Sequence, residues 1–335
     1  MKEERILLHH GSGGRLSRDL VQNEIVPVFD NPALRRLEDA SPIESSKGRM
    51  VMTTDSYVVQ PLFFPGGDIG KLSICGTVND LATAGATPVA LSVGFIIEEG
   101  FALSDFRRIL ASMKGTADSI PVPLVTGDTK VVEKSKGDGI YVSTTGIGTV
   151  PREIVLTPLK MRPGDAVVIN GPVGNHEASI ICARNEFSLQ STVVSDCAPL
   201  HGLMKAVIEN VPDTRCARDA TRGGLASVLT EIIETSGYGI TLDDESIPVD
   251  SDVQGICDIL GMDPLLMANE GKMVIIVPAE GAETCIRAMR KSFPNARATI
   301  IGEVHDRAPQ LTVRTRYGTS RIVTMPMGTQ LPRIC

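Results

Sequence analysis

Tryptophan is absent from this chain of 335 residues, and aromatic residues of all kinds make up only 4% of it. Basic residues are also few relative to acidic ones, 33 against 40, so the formal net charge is -7. Nucleic acids and anionic membrane surfaces are bound through clustered positive charge, often with aromatic stacking partners. The composition therefore argues against nucleic acid and membranes as partners.

The seven cysteines lack the spacing of a disulfide framework or a zinc site. Their number is odd and none falls in a Cys-x-x-Cys pair. No apolar run reaches the length of a membrane span, and the N-terminal stretch is too short and too mixed in charge for a secretion signal. We expect a soluble protein of the reducing cytoplasm.

Apolar runs bounded by glycine and proline alternate with segments of helical period, which predicts an α/β fold. Two helices are expected, Ser104–Met113 and Leu225–Glu234, the second ended by Gly237. The predicted strands are Met50–Thr54, Val89–Ile97, Val122–Thr126, Ile140–Val150, Ala166–Asn170, Met273–Val277 and Thr299–Val304.

The chain is longer than one hydrophobic core usually supports, so two domains are expected. Thr157–Asp165, with two prolines and a glycine, has the composition of a linker. We therefore predict an N-terminal domain over residues 1–156, a C-terminal domain over 157–327 and a mobile tail over 328–335.

Four segments combine an aspartate with glycine or threonine beside an expected strand end or helix start. They are Thr53–Val59, Val78–Val89, Val125–Lys130 and Arg218–Leu229, and their aspartates are Asp55, Asp80, Asp128 and Asp219. A single aspartate of this kind more often caps a helix or a turn. Carboxylates beside a helix start also suit magnesium bridged to phosphate oxygens. Their recurrence favours a Mg-ATP site.

Two glycine-rich stretches bear on phosphate binding. His9–Arg15 allows a close approach of backbone to phosphate, although a frayed terminus has the same composition. Pro65–Ser73 resembles a Walker A loop, but its first glycine is missing at the required spacing and Leu72 follows Lys71. The sequence therefore does not indicate a P-loop enzyme.

Three motifs together resemble the superfamily of aminoimidazole ribonucleotide synthetase, selenophosphate synthetase and thiamine-monophosphate kinase. They are VNDLATAGATPV, the GDT segment after a strand, and the Asp-x-Thr-x-Gly-Gly-Leu helix start. The resemblance covers nearly the whole chain. It implies a two-domain α/β (α+β) fold, with N-terminal mixed sheets that join in a homodimer and a C-terminal α/β layer.

The same resemblance implies ATP in a cleft between the domains, with magnesium as the metal. The implied metal ligands are Asp55, Asp80, Asp128 and Asp219. The implied nucleotide contacts are Gly11, Ser12, Gly13, Gly14, Asp80, Thr126, Gly127, Asp128, Thr129, Lys130, Thr221 and Gly223.

The ending GTQLPRIC has no helix or strand signature and carries a thiol at Cys335. Composition alone favours an incidental cysteine in a frayed tail. Within the superfamily, however, this ending, together with HGSGG and GDTK, is similar to the carbamoyl dehydratase family of nickel-iron hydrogenase maturation. That resemblance implies ATP-dependent dehydration of a carbamoyl group on Cys335 to a thiocyanate, which supplies cyanide ligands.

Lys134 and Glu270 resemble the positions that carry the acid-base work in that family. Their surroundings in the sequence also fit a solvated loop lysine and a capping carboxylate. The implied partners are the carbamoyltransferase HypF, as carbamoyl donor, and the HypC–HypD complex, as cyanide acceptor.

Two alternatives stay open at this point. Another ATP enzyme of the superfamily, acting on a free selenide or thiamine phosphate, would share the aspartate segments. Selenophosphate synthetase would be expected to carry cysteine or selenocysteine ahead of the glycine-rich stretch, where Leu7–His10 stand here. A non-catalytic assembly module would bind Mg-ATP without turnover. Turnover that depends on Cys335 separates the three hypotheses.

Overall fold

The computed structural model describes residues 5–11, 19–31, 35, 48–293 and 296–324. The predictions for Ser12, Gly13, Gly14, Cys335 and the tail concern residues outside these ranges. In chain order the strands are β1 (Arg49–Tyr57), β2 (Phe63–Phe64), β3 (Gly67–Asp68), β4 (Thr87–Glu98), β5 (Leu124–Val132), β6 (Ile140–Val150), β7 (Ala166–Ile169), β8 (Cys216–Asp219), β9 (Gly239–Asp243), β10 (Met273–Val277), β11 (Thr299–His305), β12 (Leu311–Arg314) and β13 (Ser320–Val323). The helices are α1 (Val26–Phe29), α2 (Ile69–Thr83), α3 (Leu103–Ser119), α4 (Asn175–Arg184), α5 (His201–Asn210), α6 (Gly224–Ser236), α7 (Ser251–Leu260) and α8 (Ala282–Ser292).

The first sheet is mixed and has the strand order β1-β6-β4-β5, in which only β4 and β5 run parallel. Its strands alternate buried and exposed positions, because successive side chains point to opposite faces. Helices α2 and α3 cover one face and share an apolar core with it. The other face carries exposed apolar side chains, with Met50 51%, Met52 69% and Ile96 45% exposed.

The second sheet has the order β13-β12-β9-β11-β7-β10-β8, with β9 and β12 as its parallel pair. Helices α5 and α8 pack on one face of it and α6 packs on the other. Strand β10 is buried at every position, which explains its uninterrupted apolar run. Each of the two sheets therefore packs against helices, as predicted for an α/β fold.

The two sheets meet through helix α2 and an irregular segment. Ala82, near the end of α2, packs into the apolar cluster formed by α5, α8 and the second sheet. Residues 185–200 contain no helix or strand and run between the two layers. Ser195 donates its backbone N–H to the carbonyl of Pro65 at 2.8 Å. Helix α2, the edge strand β8 and this segment thus meet between the two layers.

Strands β6 and β10 have the predicted bounds, and α6 is followed by Gly237 at a φ of 77°. Two segments differ from the prediction. The first half of Val78–Val89 completes α2, and the GDT residues lie inside strand β5 rather than after a strand that ends at Thr126. The rejected Walker-like segment opens α2, where Asp68 Oδ1 accepts the N–H groups of Gly70 and Lys71 at 2.7 and 3.1 Å. None of the helices in the described ranges is both long and apolar enough to span a bilayer.

Candidate active site

Three of the four predicted metal ligands converge between α2, β1 and the end of β8. Asp55 lies on the face of β1 that α2 covers, Asp80 in the last turn of α2, and Asp219 at the last position of β8. The carboxyls of Asp55 and Asp80 lie close enough for the charge of Asp55 to raise the pKa of Asp80. Both also lie close enough to Asp219 for their charges to raise its pKa. We call these three residues the aspartate cluster.

Side chains of β1 fix the orientation of the cluster. The hydroxyl of Thr53 donates to Asp80 Oδ2 at 2.6 Å, and the hydroxyl of Tyr57 donates to Asp55 Oδ2 at 3.0 Å. Thr53, Asp55 and Tyr57 point the same way because they stand at alternate positions of one strand. The acidic groups are therefore oriented before any ligand arrives.

The cluster concentrates negative charge in a poorly hydrated place. Burial raises the pKa of Asp80, and the neighbouring Asp55 charge adds to the shift. Burial also raises the pKa of Asp219 to about 7, with the Asp80 charge adding to it. A cation placed among these groups would favour their ionised forms.

The aspartate cluster is an open set of oxygen donors and not a closed metal cage. Among residues 5–11, 19–31, 35, 48–293 and 296–324, no three His, Cys, Asp or Glu side chains are arranged to enclose a metal ion. An ion bridged to nucleotide phosphates needs only one or two carboxylates from the protein. The cluster thus offers carboxylates for an ion shared with nucleotide phosphates rather than a closed protein cage.

Glu270 lies in a bend three residues before β10, close enough to Asp219 and Asp55 for their charges to act on its carboxyl. It is 9% exposed, and burial raises the pKa of its carboxyl well above the ordinary value, with Cys197 and Asp219 adding to the shift. A carboxyl with a high pKa stays protonated more readily and is a stronger base once ionised. The structure therefore places Glu270 beside the aspartate cluster with the properties of a proton-transfer group.

The turn between β8 and α6 carries Thr221 and Gly223 next to Asp219. Gly223 and Gly224 adopt φ of 74° and 63°, and a Cβ on Gly224 would lie 2.5 Å from the carbonyl oxygen of Leu265. Only glycine fits such a close approach with positive φ. The turn therefore presents the N-terminus of α6 near the cluster, in the place expected for an anion site.

Asp128 does not join the cluster within one chain. The register pairs Asp128 with Gly94, Gly94 with Ser143 and Ser143 with Ser56, whereas Asp55 belongs to the neighbouring row. Strands β1 and β5 are opposite edges of the sheet, about 14 Å apart at about 4.8 Å per strand. Asp128 consequently lies on the uncovered face, with Thr126, Gly127, Thr129 and Lys130 on the same strand.

Lys134 is likewise separate from Glu270. It is exposed in the turn after β5 and lines a surface cavity of about 490 Å³ together with Arg5, Glu98 and Phe101. Glu98 holds this turn by accepting the N–H groups of Ser135 and Gly139 at 2.6 and 3.3 Å. A single chain does not bring the two predicted acid-base residues together. Of the glycine-rich stretch, Gly11 ends a short 3-10 turn over Leu8–Gly11.

Asn79 and Asp196 both bind the backbone around Glu270, although no sequence motif assigned either residue to the site. The side-chain amide of Asn79 donates to the carbonyls of Ala198 and Glu270 at 3.1 and 3.3 Å. Asp196 accepts the N–H groups of Glu270 and Gly271 at 3.1 and 3.2 Å. Asn79 directly precedes Asp80 in the sequence, so the aspartate motif could have pointed to it. No local pattern marks Asp196, because its partners lie 74 and 75 positions away.

Comparison with protein families first gives the class of protein. The model of the N-terminal domain of AIR synthase related proteins matches residues 37–150, and that of the C-terminal domain matches residues 162–314. The chain is therefore a two-domain member of the AIR synthase related family.

Similar full-length proteins then identify the branch. Carbamoyl dehydratase HypE of Rhodobacter capsulatus is 46% identical over 100% of this chain and 99% of its own length. A solved structure of hydrogenase maturation protein HypE in complex with ATP superposes with a TM-score of 0.93 at 40% identity, covering 98% of this chain and 99% of that one. HypE in a HypE–HypF complex superposes with a TM-score of 0.81 at 43% identity, covering 92% of this chain and 99% of that one. The chain belongs to the HypE family of carbamoyl dehydratases.

Proposed function

We propose that this protein dehydrates a carbamoyl group on the sulfur of Cys335 to a thiocyanate, at a site that uses ATP, and so provides cyanide for nickel-iron hydrogenase maturation. The observation that carries the proposal is the convergence of the aspartate cluster and buried Glu270 between the two layers of a chain that belongs to the HypE family. The ATP bound to the similar HypE structure supports the nucleotide.

Magnesium is proposed to lie among Asp55, Asp80 and Asp219 and to offset the charge of the transferring phosphoryl group. The N-terminus of α6, with Thr221 and Gly223, is proposed to contact phosphate oxygens. The high pKa values of Asp80 and Asp219 support this arrangement, since a bound cation relieves the repulsion that raises them.

The γ-phosphoryl group of ATP takes up the carbamoyl oxygen, which leaves as phosphate. The amide oxygen attacks the γ-phosphorus, the bond to ADP breaks, and the nitrogen loses one proton. The carbon–oxygen bond then breaks, phosphate leaves with its electron pair, and the second N–H proton is removed as the nitrile forms. The products are S-cyanocysteine, ADP and phosphate. Ionised Glu270 is proposed to accept a proton from this nitrogen, because its high pKa makes it a strong base.

A homodimer is proposed to supply Asp128 and Lys134. The uncovered face of the first sheet carries the exposed Met50, Met52 and Ile96, and β1 and β5 are both edge strands within the described residues. Pairing β1 with β5 of the partner subunit at both edges would close the two sheets into a barrel with this face inside. It would also bring β5 of the partner subunit, with Asp128 and the turn that carries Lys134, next to the strand that carries Asp55. Edge pairing is the ordinary way in which open sheets associate.

HypF is proposed as the carbamoyl donor, supported by the HypE–HypF complex formed by a similar protein. The HypC–HypD complex is proposed as the cyanide acceptor, and the cytoplasm as the compartment. The acceptor follows from the family resemblance. The compartment follows from the absence of paired cysteine spacing in the sequence.

Intact-mass analysis of the purified chain tests the function directly. After incubation with HypF, carbamoyl phosphate and ATP, we expect the mass of one carbamoyl group to be added and then one water to be lost. Cys335→Ser should show neither change, and Glu270→Gln should accept the carbamoyl group without losing water. ATP turnover on a free small molecule by Cys335→Ser would refute the proposal in favour of a small-molecule kinase. ATP binding without turnover, on a carbamoylated chain, would favour an assembly module.

A further inference from the structure

Asp196 makes an unusual set of contacts for a carboxylate outside the aspartate cluster. Its Oδ1 accepts the N–H of Glu270 at 3.1 Å, and its Oδ2 accepts the N–H of Gly271 at 3.2 Å and the ammonium of Lys272 at 2.8 Å. The side chains of Asp196 and Lys272 are 6% and 9% exposed. One buried carboxylate therefore binds three successive residues, beginning with the proposed base.

Asp196 is itself held firmly in the irregular segment 185–200. The preceding residue, Ser195, donates its N–H to Pro65 O at 2.8 Å, and its hydroxyl lies 2.8 Å from His176 Nδ1. Main-chain packing is equally close, since a Cβ on Gly271 would lie 1.9 Å from the carbonyl oxygen of Asp196. The two segments cannot slide past one another without breaking these contacts.

The electrostatics of Asp196 agree with this geometry. Burial by itself would raise the pKa of the Asp196 carboxyl, but Lys272 and the hydrogen bonds outweigh burial and hold the pKa below its ordinary value. Asp196 thus stays ionised and keeps both oxygens as acceptors. The carbonyl of Glu270 is held as well, by the amide of Asn79 at 3.3 Å. Both polar backbone atoms of Glu270 are therefore fixed.

We propose that Asp196 is a positioning residue that fixes the carboxyl of Glu270 relative to the aspartate cluster and to the substrate nitrogen. This inference rests on the proposed dehydration and on Glu270 as its base. A base misplaced by about 1 Å can lose about 100-fold in rate while the substrates still bind. Asp196 does not reach the aspartate cluster by any hydrogen bond among the described residues, so its loss should leave nucleotide binding intact.

The test is Asp196→Asn in the full chain, carbamoylated by HypF. We expect the rate of water loss, followed by intact mass, to fall between about tenfold and 100-fold. The affinity for a non-hydrolysable ATP analogue with magnesium, measured by calorimetry, should stay within about twofold. This split between rate and affinity is not expected from a general loss of stability.

Asp165→Asn is the matched control in the same domain. Asp165 is also a buried partner of a cation, Arg215, at 3.1 Å, and it also accepts a backbone N–H, that of Arg162, at 2.7 Å. Within the part of the chain that the structure describes, none of the hydrogen bonds of its side chain reaches the segment around Glu270. This variant should lose comparable thermal stability and keep the wild-type rate of water loss.

Three results would overturn the proposal. They are an unchanged rate in Asp196→Asn, a parallel loss of rate and nucleotide affinity, and an equal loss of rate in Asp165→Asn. If Asp196→Asn does not fold, the double variant with Lys272→Met removes both charges and should show the same split. Failure of the wild-type chain to lose water would instead refute the proposed function. Full activity of Glu270→Gln would refute the assignment of Glu270 as the base.

Discussion

Asp219→Asn should stabilise the nucleotide-free protein at alkaline pH while it removes activity. Burial holds the pKa of Asp219 at about 7 in the folded chain, against an ordinary value of 3.8. The unfolded chain therefore ionises this group first, and folding becomes less favourable as the pH rises from about 4 to about 7. At about 1.4 kcal/mol per pKa unit, the ionised carboxylate lowers the free energy of unfolding by about 2 to 4 kcal/mol at pH 8.

Urea denaturation at pH 8 and pH 5 measures this effect. The variant should be more stable than wild type at pH 8, and its advantage should shrink by about 2 kcal/mol at pH 5, where folded Asp219 is already protonated. Asp306→Asn is the control, because Asp306 is exposed after β11, outside the proposed site, and should give a difference in stability near zero at both pH values. An equal advantage at both pH values, or none at pH 8, would refute the electrostatic account.

The same pKa predicts how the proposed magnesium site should respond to pH. An ion that binds Asp219 displaces a proton from it below pH 7, so the affinity for the Mg-nucleotide complex should fall about tenfold between pH 8 and pH 6 in wild type. Calorimetric titrations in Asp219→Asn should show weaker binding that no longer changes over this range. A wild-type affinity independent of pH would place the ion elsewhere.

Three further substitutions probe the framework of the site, each by urea denaturation. Tyr57→Phe should lower the free energy of unfolding by about 1 kcal/mol, because Asp55 loses a hydroxyl donor; an unchanged value would mean that water replaces it fully. Asn79→Ala should lower it by about 2 to 4 kcal/mol, since three hydrogen bonds between the layers are lost, and a loss below 1 kcal/mol would contradict the contact. Gly224→Ala should lower the free energy of unfolding by at least about 2 kcal/mol, because the backbone has a positive φ there and a Cβ would clash with a carbonyl oxygen. Its control is Gly255→Ala, in open space within α7, which should raise the free energy of unfolding by about 0.5 to 1 kcal/mol.

The sequence by itself determined the elements whose pattern is local. Strands β6 and β10 and the core of α6 follow from runs and periods of apolar residues, because burial on one or both faces dictates the residue type at each position. Gly237 could be recognised as the end of α6, since glycine adopts positive φ without strain. The aspartates could be recognised as candidates because each lies in a short segment that also contains glycine or threonine.

Only the tertiary structure decided which candidates meet. Asp55, Asp80 and Asp219 converge because α2 packs against both β1 and the second layer, a contact between distant parts of the chain that no local period records. Asp128 has the same local signature, yet strand order and register place it at the opposite edge and on the other face. Asp196 carries no signature at all, because its function is defined by backbone groups brought to it from another segment. Local sequence fixes what each element is, whereas long-range packing fixes which side chains share a site.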